Sequence, residues 1–131
     1  MPAVILPDVK SAILDHIRST LATRLEPFAE GVVVKGKLPD PRPDRAVTVR
    51  DDGGNSLGDV RGASRLGVNV WATSEADATD LANLVRAIVA GSENVGPIRS
   101  ATASLPAEVA DSSGQPLRYF TAELIVRGVS L

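Results

Sequence analysis

Asp51, Asp52, Asn55 and Asp59 place four oxygen donors within nine residues, in the stretch RDDGGNSLGD that starts at Arg50. Hard donors at that density could hold Ca²⁺. An EF-hand loop, however, alternates its acids and closes on a Glu at the twelfth position, and DDGGNSLGD does neither. Gly53 and Gly54 raise a second possibility, a phosphate cradle. That chemistry needs Gly-Lys-Ser/Thr running into a helix, whereas here Asn55 follows the glycines and aspartates on both sides repel phosphate. Glycine, Asn and Asp together suit a solvated turn. The expectation is therefore a long hairpin tip over 51–59 that holds no ion. Arg50, Arg61 and Arg65 flank it. Within one molecule they would make exposed ion pairs of small value, so the more interesting partners for them are the aspartates of a neighbouring molecule.

The other chemical candidates are sparse. His16 is the single histidine and the chain has no Cys, so zinc sites and thiolate chemistry have no usual ligand set. Asp15 precedes His16, but adjacent helical residues do not face one another, so the two make no catalytic pair. Trp71 could stack a base or sugar; an aromatic at a strand–helix junction more commonly serves a core or a subunit interface. No nucleophile–base pair can be assembled, and no enzyme activity is expected.

The whole chain sets the frame for these residues. Its 131 residues suit one domain, 1–131. Hydrophobic residues make up 44% and charged residues 23%, an ordinary globular balance. With two Phe, one Trp and one Tyr, the core must be aliphatic. A net charge of −2 argues against a broad cationic surface for nucleic acid. MPAVILPDVK lacks the charged start and apolar run of a signal peptide. No apolar stretch approaches the roughly 20 residues of a membrane span.

Periodicity supplies the elements. Val9, Ile13, Ile17 and Leu21 recur every four residues and predict an amphipathic helix from Pro7 to Leu25, with Asp8 in its first turn. GVVVKGKL reads as a short edge strand. LPDPRPDR, with prolines at 39, 41 and 43, reads as an extended connector over 38–45, or as a PxxP ligand. Ala46 to Arg50 and Val60 to Ala72 predict an antiparallel hairpin with Leu66, Val68 and Val70 on one face. Ser74 or Thr73 caps a second helix whose apolar face is Ala78, Leu81, Leu84, Val85, Ile88 and Val89, ending at Gly91. Strands follow at Ile98–Leu105 and Leu117–Val129. The fold class is α/β (α+β): a mixed, largely antiparallel sheet with two main helices packed against it.

Four stretches carry a resemblance: LPDVKSAILDHIRSTL, RPDRAVTVRDDGG, VNVWATSEADATDLANLVRAIV and RYFTAELIVRG. Together they resemble the tail terminator proteins of long-tailed bacteriophages, especially the actinobacteriophage type. The likeness spans nearly the whole chain and contains no catalytic signature. It implies an α/β sandwich that assembles as a hexameric ring on the finished tail tube, at the head–tail junction of the virion. Its implied partners are further copies of the chain, the major tail protein and the head-completion proteins. Genomic DNA would pass through the lumen without specific binding; no cofactor, metal or membrane is implied. On that likeness Arg50, Asp51, Asp52, Gly53, Gly54, Asn55, Asp59, Arg61 and Arg65 are candidates for a subunit interface or channel loop, and Trp71 for an interface aromatic. Two alternatives stand beside it: a head-closure or connector-adaptor neck protein, and a small ligand-binding or regulatory α/β domain with Trp71 at a pocket floor.

Overall fold

Two amphipathic helices and one twisted sheet bury each other's apolar sides. The computed structural model describes residues 3–58 and 60–131. Its elements run β1 (Val4–Ile5), α1 (Val9–Leu21), a 3-10 turn (Pro27–Ala29), β2 (Val33–Lys35), β3 (Ala46–Ser56), β4 (Arg61–Trp71), α2 (Glu75–Ala90), β5 (Ile98–Ala103), β6 (Ala107–Val109), β7 (Leu117–Arg127) and β8 (Val129–Ser130).

The α1 stripe is buried as its spacing predicts: Val9, Ile13, Ile17 and Leu21 all face the core. The helix is shorter than the predicted 7–25. Asp8 sits before the first turn as the N-cap, and its carboxylate accepts from the Ser11 amide at 3.0 Å. The C-terminal end closes early through tight i→i−3 bonds, Thr23 N to Thr20 O and Arg24 N to Leu21 O. Leu25, read as part of the helix, is 96% exposed. In α2 the prediction holds more closely. Ser74 caps the Asp77 amide at 3.1 Å, and Ala78, Leu81, Ala82, Val85, Ile88 and Val89 are buried.

The main sheet has the order β2-β3-β4-β7-β5, with β6 also lying against β7. Only the β2–β3 pair is parallel; β3–β4, β4–β7, β5–β7 and β6–β7 are antiparallel. This is the α+β architecture expected, a mixed and mostly antiparallel sheet carrying two helices. Strand alternation sorts the faces. Leu66, Val68 and Val70 of β4 and Phe120, Ala122, Leu124 and Val126 of β7 join both helices in one buried cluster. The register sets Val68 opposite Phe120 and Leu66 opposite Ala122. The reverse face is polar over most of its length, with Arg65, Asn69, Tyr119, Thr121 and Glu123. A satellite core of Ala46, Trp71 and Leu117, with Leu38 against it, closes one end of that face.

Strands β1 and β8 pair with each other as a separate two-stranded ribbon. Among the described residues no helix is long and apolar enough to cross a membrane.

Candidate assembly surface

The aspartate stretch is strand for most of its length, which corrects the predicted 51–59 tip. β3 continues through Asp51–Ser56 because β4 is long enough to pair with it. The glycines make this possible. Between the pairs Asp51–Leu66 and Gly54–Ser64 the register shifts, so β3 carries a bulge there. Gly53 takes φ +79° at the bulge, and its amide donates to Asp51 Oδ1 at 2.8 Å. Gly54 lies so close to β4 that a Cβ would stand 1.8 Å from the Ala63 carbonyl oxygen. Asn55 follows in register with Ala63. Asp59 lies outside the described residues.

The flanking charges divide in two. Arg50 Nε donates to Asp52 Oδ1 at 2.6 Å, and its Nη2 reaches Asp52 Oδ2 at 3.2 Å and the Tyr119 hydroxyl at 3.4 Å. Gly67 is the floor beneath this group, where a Cβ would crowd all three side chains. The hydrogen bond from Arg50 holds the Asp52 carboxyl below its ordinary value. Asp52 therefore has an arginine in its own strand, where the sequence pointed to one on the next molecule. Arg65 stands across the strands from Glu123 and shares with it, Asp52, Thr102 and Ser104 a shallow polar hollow on the open face. Arg61 lies apart from these, at the far end of β4 opposite Arg127.

Trp71 is 7% exposed and packs within its own chain, so its ring offers little surface to a partner or ligand. Its Nε1–H donates to Asp111 Oδ1 at 3.4 Å. Asp111, which no functional motif in the sequence singles out, is the polar centre of this end of the sheet. Its carboxylate also accepts from Arg42 Nη1 at 2.7 Å, from the Ser113 amide at 3.1 Å and from the Ser113 hydroxyl. Gln115 Nε2 donates to the Pro43 and Asp44 carbonyls at 3.3 and 3.1 Å. The proline-rich connector is thus fastened to the β6–β7 turn, an arrangement suited to a spacer rather than a free PxxP ligand. The one sequence sign of Asp111's role was Asp followed two residues later by Ser, the pattern of an Asx turn.

These bonds have a measurable consequence. The Ser113 hydroxyl first, then the Ser113 amide, Trp71 and Arg42, hold the Asp111 carboxyl at about 2. The folded value lies below the unfolded one, so the stabilisation is complete above the ordinary carboxylate range and disappears as pH falls through about 2. Asp111→Asn is expected to lose about 1.5 kcal/mol at pH 7. In urea titrations its gap from the natural chain should close between about pH 4 and pH 2. A gap that stays constant over that range would show that the carboxylate is not the bonded group.

Other titratable side chains are also occupied structurally. Arg118, 9% exposed, ties β7 to α2 through Glu75 at 2.7 Å and Thr79 at 3.3 Å. Arg45 reaches Asp77 at 3.2 Å, and Arg86 holds the Ala103 carbonyl at 2.9 Å. Among the described residues no group of three or more His, Asp or Glu side chains is placed to hold a metal ion.

Comparison with known proteins sets this geometry in context. No protein-family model matches the chain, and no curated protein matches its sequence. Among solved structures, the fold matches a chain from the "Virion of native gene transfer agent (GTA) particle", with a TM-score of 0.57 at 13% identity. The match covers 92% of this chain and 93% of that one. The two chains share a fold over nearly their whole length.

Proposed function

We propose that this chain is a structural virion protein of a tailed phage or phage-like particle. It caps the tail tube as a ring, stops tube polymerisation and offers the joining surface to the head-completion proteins. The observation that carries this reading is the fold match, over 92% of this chain, to a chain of a virion particle. The site geometry supports it: Arg42, Arg45, Arg118 and Asp111 are engaged in holding elements together, which suits a scaffold better than turnover. In the ring, the outer half of the β3–β4 hairpin approaches the channel. Asp51 and Asp52 are exposed there, where negative charge keeps passing DNA from sticking.

The test is electron microscopy of particles made without this chain. Over-long tails are the expected result. Tails of normal length with heads that leak DNA would instead identify a head-closure or adaptor protein. Intact, infectious particles would remove the virion reading altogether.

A further inference from the structure

Exposed arginines gather at one end of the sheet and exposed carboxylates at the other, where Arg42, Arg45 and Arg118 are already paired. At the hairpin end Arg61 stands directly opposite Arg127. Arg99, at the β5 irregularity between Ile98 and Ser100, joins them around a hollow that also holds Val60 and Ile125. All three arginines are exposed. Among the described residues none of them belongs to an ion pair. Like charges directly opposite on a sheet are destabilising, so this arrangement invites an anionic partner. At the other end, where the connector docks, Asp40, Asp44 and Glu108 are exposed and are likewise absent from the ion pairs. Each end also shows an apolar side chain to solvent, Val60 at 44% exposure and Val109 at 42%.

We propose that the hairpin end of one copy docks on the connector end of the next. Arg61, Arg99 and Arg127 pair with Asp40, Asp44 and Glu108, and Val60 meets Val109. The contact joins two different patches of the same chain, the head-to-tail kind that closes rings. It rests on the ring reading given above and names the surfaces that would make the ring. A second copy suits the hollow better than nucleic acid for two reasons. Valine and isoleucine beside the arginines offer nothing to a phosphate, and Asp51 and Asp52 share the same hairpin and repel one. The arginines bring register and steering, while the apolar contact excludes water around them.

The experiment is sedimentation velocity on the full chain at low ionic strength, with two variants. One carries Arg61→Glu, Arg99→Glu and Arg127→Glu; the other carries Asp40→Lys, Asp44→Lys and Glu108→Lys. Each variant alone should self-associate about 100-fold more weakly than the natural chain, because attraction becomes repulsion at one end of every contact. An equimolar mixture should recover association, since each reversed end then finds its complement on the other variant. Should a triple variant fail to fold by circular dichroism, Arg99→Glu and Asp44→Lys, alone and mixed, ask the same question at exposed positions. Association of the arginine variant at natural strength would overturn the proposal, as would a mixture that stays monomeric or a natural chain monomeric at millimolar concentration. A labelled DNA duplex bound by the natural chain and lost by the arginine variant, with self-association unchanged, would give the hollow to nucleic acid instead. The ring-cap reading fails separately. Normal tails from particles lacking the chain would remove the terminator role while leaving the contact standing, and over-long tails with a monomeric chain would remove only the contact.

Discussion

Phe120→Ala is expected to lose about 4 kcal/mol of stability. Phe120 is 1% exposed and the largest of the fully buried side chains. It lies opposite Val68 on the central strand pair, in the cluster that joins both helices to the sheet. Among the described residues the other phenylalanine packed against this cluster, Phe28, is only partly buried, and Trp71 belongs to the satellite cluster on the reverse face. The cavity is therefore expected to persist, which places the loss near the middle of the roughly 3–5 kcal/mol range for such truncations. A natural domain has only about 5–15 kcal/mol in hand, so the variant should unfold at a midpoint roughly 15 °C lower. Thermal melts followed by circular dichroism read this directly. A loss below about 1 kcal/mol would mean that the β4–β7 register, and with it the division of the sheet into a core face and an open face, is misassigned.

Gly54→Ala is expected to have the second largest effect, and a local one. The added Cβ would meet only backbone: the Ala63 carbonyl oxygen at 1.8 Å, its carbon at 2.8 Å and the Ser64 Cα at 2.9 Å. No rotamer change relieves that contact, so the strands must part or slip. The outer half of β3 pairs only with β4 and holds no core residue. The cost, about 3 kcal/mol by analogy with overpacked sites, should therefore appear as fraying of that half. Amide hydrogen exchange at Asn55 and Ser56 should quicken by about 100-fold, while Phe120 and Val68 keep their protection. Gly53→Ala is the internal control. Nothing lies within 4 Å of its Cβ position, so its cost is the left-handed backbone alone, about 1 kcal/mol. Equal effects from the two substitutions would show that the bulge does not draw the strands together as described.

Much of the fold was legible in the sequence because its signals are periodic. The α1 and α2 stripes and the alternation of β4 fix which residues face the core, and the faces came out as read. The boundaries moved where local chemistry outweighed period, as when Asp8 served as a cap and the chain turned after Leu21. The outer half of β3 was illegible for a different reason. DDGGNS has poor strand propensity, and only the unbroken length of β4 beside it makes those residues strand. The site was legible in composition but not in partnership. Arg50, Asp52, Gly67 and Tyr119 meet because three strands bring them together; likewise Asp111 gathers Trp71 and Arg42 from 40 and 69 residues away. Opposition of Arg61 to Arg127, with Arg99 beside them, depends on register across three strands and carries no local signature at all.

The hairpin has gained a shape from its own chain, through the bulge and the Arg50–Asp52 pair, that the aspartate-rich sequence did not suggest. What the neighbours in a ring would add is contact at the two charged ends. Cryo-electron microscopy of the intact particle that carries this chain measures that arrangement most directly. A closed ring at the head-proximal end of the tail tube is expected, with each hairpin end seated on the connector end of the next subunit and the Asp51–Asp52 edge toward the lumen. Density for the chain in the capsid shell or at the distal tail tip, or single copies with both charged ends in solvent, would contradict it.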